Sequence, residues 1–179
     1  MNLANKITIF RILLTPIFVL SFYMSFYTNP IIPLVIFCLA SFTDFLDGYI
    51  ARSRNLVTDF GKFIDPLADK LLTMAAFVLL ASNSVIPAWI VITILARELI
   101  ITGFRTIAVS KGVTIAASQL GKFKTVSQMA IIIISFFGKY QIRFYALVFN
   151  IVLYLALLMT IVSGYDYIYK NKDVFGDEF

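Results

Sequence analysis

Four of the five aspartates in residues 44–69 form two closely spaced pairs, in a chain that otherwise carries few charges. Asp44 and Asp47 are three residues apart, and Asp65 and Asp69 are four residues apart. On helices, residues at these separations lie on one face, so each pair could aim its carboxylates in one direction. Four carboxylates brought together need a neutralising partner, and one or two divalent cations supply it at the lowest cost.

The available ligands narrow the choice of metal. The chain has no histidine, and its only cysteine, Cys38, lies in an apolar run. Zn²⁺ sites draw on histidine and cysteine, whereas carboxylate oxygens suit hard cations. The sequence therefore predicts Mg²⁺ or Mn²⁺ at these aspartates.

The rest of the chain has the composition of a membrane protein. Of its 179 residues 60% are hydrophobic and 14% charged, and the mean hydropathy is +0.91. A membrane-spanning helix needs about 20 mostly apolar residues, and open strands would leave backbone groups unbonded in lipid. Six stretches qualify: 8–26, 31–50, 64–82, 86–109, 126–138 and 144–167. The fifth is short unless it starts near Gly121. We therefore expect an all-α integral membrane protein with six transmembrane helices in a single domain, 1–179.

The distribution of basic residues predicts the orientation. If the N-terminus is cytoplasmic, only Lys139 and Arg143 of the 15 basic residues fall on the other side. The positive-inside rule then places both termini, and the aspartates, on the cytoplasmic side. Arg11 interrupts the first apolar stretch and no small-residue cleavage site precedes Pro30, so we expect this stretch to be retained rather than removed as a signal peptide.

A second group of polar residues lies in and after the fourth apolar stretch. Arg97 and Glu98 are adjacent, so on a helix they point about 100° apart and need not pair with each other. A basic residue after this apolar stretch, taken alone, is typical of a solvated loop that touches anionic lipid. Together with the carboxylates, the group predicts an anion pocket beside a metal–phosphate site. Its members are Arg97, Arg105, Lys122, Lys124 and Gln128.

Read at full length, residues 44–69 follow the pattern D-x2-D-G-x2-A-R-x8-G-x3-D-x3-D. This resembles the signature of the CDP-alcohol phosphotransferases, integral membrane enzymes of phospholipid synthesis. The resemblance extends over nearly the whole chain and includes an N-terminal Asn-x2-Thr-x2-Arg. Within the family, ARELIITGFRTIAVSKG followed by LGKFKTVSQ is most similar to the bacterial phosphatidylglycerophosphate synthases.

The resemblance implies a role for each group of residues. Asp44, Asp47, Asp65 and Asp69 would hold two Mg²⁺ or Mn²⁺ ions, and Asp69 would also be the catalytic general base. The CDP moiety would be bound by Asn5, Thr8, Gly48, Ala51, Arg52 and Gly61. The acceptor's phosphate would be bound by Arg105, Lys122 and Lys124, with Arg97 or Gln128.

The resemblance also implies the substrates and the setting. The phosphatidyl group of CDP-diacylglycerol would pass to sn-glycerol 3-phosphate, giving phosphatidylglycerol phosphate and CMP. The enzyme would be a homodimer in the bacterial cytoplasmic membrane, in contact with membrane lipid, with its active site facing the cytoplasm.

Other functions remain open from the residues. The acceptor could be serine or an inositol phosphate. An ion transporter also carries carboxylates in the membrane, usually near the midplane on broken helices. A purely structural membrane protein has no reason to collect four acids. The net charge of +5 could suggest nucleic acid, but the basic residues are scattered at the ends of apolar runs, which argues against it.

Overall fold

The computed structural model describes residues 3–54, 59–113, 115, 118–140 and 143–172, and for 3–9, 11, 44–54, 59–69 and 139 it describes the backbone only. Six α-helices occupy most of this part of the chain, which contains no strand, as the apolar stretches predict. They are α1 (Leu3–Ser25), α2 (Ile31–Arg54), α3 (Asp59–Ser82), α4 (Ala88–Ser110), α5 (Gln119–Ser135) and α6 (Tyr145–Lys170), with a short 3₁₀ helix at Gly138–Tyr140.

The fifth helix begins earlier than its apolar stretch. Its first residue is Gln119, seven residues before the start that hydropathy gives, and this confirms a start near Gly121. The hydroxyl of Ser118 accepts the Gly121 N–H at 3.0 Å. A serine immediately before a helix satisfies one of the N–H groups that have no partner within the helix, so Ser118 acts as an N-cap. The cap fixes where the register of α5 begins.

The chain divides into two compact units. The first comprises Met1–Asn83 with Phe136–Gln141, and the second comprises Ser84–Ser135 with Ile142–Phe179. In the first unit α1 packs against α2 and α3, which also contact each other. In the second unit α6 packs against both α4 and α5. Each unit therefore has one helix that organises the other two.

Aromatic rings fill the described interior of the first unit. The ring of Phe22 stacks on that of Phe26 with centroids 4.1 Å apart, and it meets Phe136 edge-on at 6.0 Å. Phe18 contacts Phe37 across the α1–α2 contact at 5.7 Å. All five side chains are buried. Aromatic pairs in these arrangements add about 0.5–1.5 kcal/mol each beyond the area they bury.

One helix in the described part of the chain has the length and apolarity to cross a membrane. It is α6, whose 26 residues would extend about 39 Å at 1.5 Å per residue. Shorter apolar helical segments are Ile12–Ser25, Ile31–Thr43 and Lys70–Ser82. Helix α4 is nearly as long as α6 but carries Arg97, Glu98 and Arg105. The six helices are thus observed, while six spans and the side of the termini stay predictions.

Candidate active site

The aspartates of the opening pattern lie on two contacting helices of the first unit. Positions 44 and 47 are in the C-terminal half of α2, and positions 65 and 69 are in the N-terminal half of α3. These halves flank residues 55–58, so both pairs lie toward the same end of the helix pair. The backbone therefore has the helical spacing that the prediction assumed. The carboxylates lie outside the described side chains, and their joint binding of metal stays a prediction.

The residues predicted to bind the CDP moiety also fall in this unit. Positions 5 and 8 are in α1, positions 48, 51 and 52 are in α2, and position 61 is in α3. Because α1 packs against both of the other helices, the fold gathers these positions onto three mutually contacting helices. Their side chains, like those of the aspartates, are outside the described set.

The residues predicted to bind the acceptor's phosphate lie in the second unit, where the structure separates them into two groups. Lys124 and Gln128 are buried on α5, and the Arg97 side chain is 14% exposed on α4. Lys122 and Arg105 are exposed. Lys122 and Lys124 differ because residues two apart on a helix point in nearly opposite directions. One group is therefore internal and the other faces outward.

Arg97 and Lys124 meet at one carboxylate. Arg97 Nη1 donates to Glu98 Oε1 at 3.2 Å, and Lys124 Nζ donates to the same oxygen. The neighbours Arg97 and Glu98 thus do pair, although their 100° separation on the helix does not require it. Long side chains can bend toward each other where packing turns them the same way. Arg97 Nη2 then donates to Ser163 Oγ on α6 at 3.1 Å.

A second set of hydrogen bonds continues from this cluster into α6. Gln128 Nε2 donates to Thr160 Oγ1 at 3.0 Å, and Thr160 Oγ1 donates to the Ala156 carbonyl at 2.7 Å. Ser163 Oγ donates to the Thr160 carbonyl at 3.2 Å. Polar groups buried away from water must be hydrogen-bonded to be tolerated. We call these linked side chains the polar network: Arg97, Glu98, Lys124, Gln128, Thr160 and Ser163.

Arg105 lies outside the polar network. It is eight residues after Arg97, which places it about 12 Å further along α4. Its Nε donates to the hydroxyl of the buried Tyr167 at 3.1 Å, and its guanidinium carbon lies 5.2 Å from the centroid of that ring. Tyr167 also lines a cavity of about 410 Å³ between the start of α5 and the end of α6. Arg105 is therefore a separate, exposed cationic position in this unit.

Sequence reasoning gave no role to several members of the polar network. Glu98 had a usable signal, since an acid inside the apolar stretch 86–109 falls under the same rule that singles out the aspartates. Thr160 and Ser163 had none, because a hydroxyl in an apolar helix commonly bonds its own backbone. Gly164 shows how closely Arg97 approaches α6, because a Cβ built on this glycine would lie 3.1 Å from Arg97 Cγ.

Comparison with known proteins agrees with the pattern in residues 44–69. The sequence profile of the CDP-alcohol phosphatidyltransferase family matches residues 1–162. A Bacillus subtilis (strain 168) protein named CDP-diacylglycerol–glycerol-3-phosphate 3-phosphatidyltransferase is 42% identical over 95% of each chain. A protein of the same name from Rickettsia bellii is 40% identical over 97% of each chain. Another, from Haemophilus influenzae, is 38% identical over 96% of this chain and 94% of its own. The chain belongs to the CDP-alcohol phosphatidyltransferase family.

Proposed function

We propose that this protein transfers the phosphatidyl group of CDP-diacylglycerol to sn-glycerol 3-phosphate, releasing CMP and forming phosphatidylglycerol phosphate. The observation that carries the proposal is the complete aspartate pattern of residues 44–69 on two contacting helices, in a chain of this family. Relatives that align over nearly the whole chain bear the name of this reaction, which favours glycerol 3-phosphate over serine or an inositol phosphate.

The exposed side chains support a membrane location. Large apolar residues are exposed along the described helices, for example Met24 on α1, Leu39 on α2, Ile92 on α4 and Ile151 on α6. Exposed apolar surface of this extent indicates contact with lipid or with other protein. The proposed donor carries two acyl chains, so its diphosphate sits at headgroup depth and its enzyme must work there. We propose six spans with both termini, and the active site, on the cytoplasmic side of a bacterial cell membrane.

The aspartates suit a two-metal site. All four candidate ligands are carboxylates, which hard divalent cations prefer, and the spacings of three and four residues are set on helical backbone. Asp44, Asp47, Asp65 and Asp69 would hold the two Mg²⁺ or Mn²⁺ ions. When bound, these ions would offset the negative charge of the diphosphate and of the departing CMP.

The protein's own groups would handle the acceptor's hydroxyl. The C1 oxygen of sn-glycerol 3-phosphate attacks the phosphorus that carries the diacylglycerol, while Asp69 takes the hydroxyl proton. The bond from this phosphorus to the CMP oxygen breaks, and CMP leaves with the electron pair. A carboxylate is a weak base, so holding the hydroxyl in line contributes more than proton affinity.

The acceptor's phosphate needs cations, because a dianion is otherwise repelled by a cluster of acids. Lys124 and Arg97 are held together at Glu98, while Arg105 and Lys122 are exposed. We propose that Arg105, Lys122 and Lys124 bind this phosphate, with Arg97 beside Lys124. Gln128 is committed to Thr160 and would support Lys124 from one turn away.

An acceptor panel tests the proposed function. Purified protein in detergent receives CDP-diacylglycerol, Mg²⁺ or Mn²⁺, and in turn glycerol 3-phosphate, serine, inositol and inositol phosphate, and CMP release is measured. We expect release with glycerol 3-phosphate alone and its loss with EDTA. Release with another acceptor would contradict the acceptor assignment. No CMP from any acceptor would contradict the reaction and favour a transporter.

A homodimer is part of the proposal. Molar mass by light scattering of the protein in detergent, with the detergent contribution subtracted, should be twice the chain mass of 20.2 kDa. A monomeric mass with full activity would remove the dimer from the proposal and leave the chemistry intact.

A further inference from the structure

Glu98 is the one buried acid among the side chains that the structure describes. It lies on α4, and its side chain is 11% exposed. A carboxylate in an apolar helix is costly unless it is paired, so such a residue is retained where it performs a task.

The contacts of Glu98 indicate what the task is. Its Oε1 accepts from Lys124 Nζ on α5 and from Arg97 Nη1 on α4. The guanidinium of Arg97 is held at its other end by Ser163 on α6. One carboxylate therefore joins the cations of two helices, and the third helix fixes the orientation of one of them.

This arrangement suits cations that bind an anion. Lysine is a point charge on a flexible stem, and ordering it costs conformational entropy each time it binds. Two cations also repel each other, so without an acid they would not stay together in a low-dielectric interior. Glu98 removes both costs before any ligand arrives. The carboxylate would itself repel a phosphate, so it acts through its partners.

Gly164 belongs to the same arrangement. A Cβ at this position would lie 3.1 Å from Arg97 Cγ and 3.4 Å from Arg97 Nε. The first distance is tighter than ordinary van der Waals contact, and its atom is in the stem of the arginine rather than at its tip. The glycine thus lets Arg97 lie directly on α6, next to Ser163.

We infer that Glu98 is a positioning residue for the phosphate of the acceptor: it holds Lys124 and Arg97 in the arrangement that binds the anion, and Gly164 leaves the room that this requires. The inference rests on the proposed function and extends it to residues that do not touch substrate. It predicts that disturbing Glu98 weakens use of the phosphate-bearing acceptor and spares the donor.

The first test is E98Q, which keeps the size of the side chain and removes its charge. We expect the KM for glycerol 3-phosphate to rise about tenfold, because one charge-assisted interaction is lost. The KM for CDP-diacylglycerol should be unchanged. E98D, which restores the charge on a shorter stem, should recover part of the affinity. Inorganic phosphate, used as a competitive inhibitor, should bind more weakly to E98Q, by the same factor as the acceptor.

Two further variants keep the inference falsifiable. G164A leaves every charge in place and displaces Arg97, so it should raise the acceptor KM about threefold even if E98Q does not fold. D166N is the matched control, because Asp166 is an acid on α6 paired with the exposed Lys170 at 2.7 Å, and its kinetics should match wild type.

The outcomes separate this inference from the proposed function. If wild-type protein uses another acceptor, the proposed function fails. If wild-type protein uses glycerol 3-phosphate but E98Q and G164A leave its KM unchanged, or raise both substrates' KM equally, the positioning role is overturned. Loss of folding in both variants, judged by size-exclusion chromatography in detergent, would also overturn it and make Glu98 a structural residue.

Discussion

The described interiors of the two units differ in the polar side chains that they bury: charged and amide groups are buried in the second unit, and only hydroxyl groups in the first. In the first unit, stacked and edge-on phenylalanine rings lie between α1, α2 and the segment at Phe136. In the second, a buried ion pair and hydrogen bonds join α4 and α5 to α6. Rings need only fill space, whereas buried polar groups are costly unless each finds a partner. The difference indicates that the second unit gives up packing freedom to hold charges in defined places.

The largest effect should come from substituting the aspartates of α2 and α3, in the first unit. We expect D65N or D69N to lower turnover about 10³-fold or more, since each removes a charged ligand or base at the reacting centre. The amount of each variant in the membrane fraction should equal that of the wild type. CMP release checks activity, with D166N as the control acid. Turnover within about tenfold of wild type would contradict the proposed chemistry.

The two neighbouring lysines of α5 give a sharper contrast within the second unit. K124M removes a buried cation from Glu98, and breaking a buried pair typically costs about 3–5 kcal/mol, so thermal stability in detergent should fall clearly. K122M alters an exposed side chain and should change stability by less than about 0.5 kcal/mol.

A double variant tells whether the lost stability reflects an isolated charge. E98Q alone leaves two cations, Lys124 and Arg97, without their shared carboxylate. E98Q/K124M removes one of these cations and should recover part of the stability that E98Q loses, while use of glycerol 3-phosphate stays impaired. Equal melting temperatures for K124M and K122M would show that the buried pair does not distinguish the units.

In the first unit, F22A should affect stability and leave acceptor recognition unchanged. Phe22 is 1% exposed and its ring contacts Phe18, Phe26 and Phe136, so truncation leaves a cavity that costs about 3 kcal/mol. Thermal unfolding in detergent measures the loss. At a temperature where the variant is folded, its KM for glycerol 3-phosphate should equal that of wild type, and a selective rise would break the proposed division of roles.

Among the buried groups, the smallest effect should come from the Gln128–Thr160 hydrogen bond. T160V keeps the shape of the side chain and leaves Gln128 Nε2 without this acceptor, which costs about 1 kcal/mol. The double variant Q128L/T160V removes both partners and should be closer to wild type than T160V is. Additive losses in this cycle would indicate that the bond contributes nothing to stability.

Sequence reasoning reached the helices because apolar runs of this length have few alternatives in lipid. It was least accurate at the start of α5, where Lys122, Lys124 and Gln128 lower the hydropathy of a segment that is nonetheless helical. There the helix is set by backbone hydrogen bonds and the Ser118 cap, and the buried cation that interrupts the apolar pattern is satisfied by Glu98.

In the candidate site, too, the sequence predicts what depends on neighbouring residues and misses what depends on tertiary packing. The aspartates were found from sequence because their spacing within two helices is local information. The pairing of Glu98 with Lys124 was not, because the two residues are far apart in sequence and on different helices, so that only tertiary packing brings them together. The fit of Arg97 onto Gly164 is likewise invisible without the neighbouring helix.

The Ser118 cap has a consequence for how this family can vary in length. A residue inserted between Ser118 and Lys124 would turn the rest of α5 by about 100° and carry Lys124 away from Glu98, because each residue of a helix advances the turn by that angle. An insertion before the cap would leave this register unchanged. Among natural relatives, gaps should therefore collect before the residue aligned with Ser118 and be absent from there to Gln128.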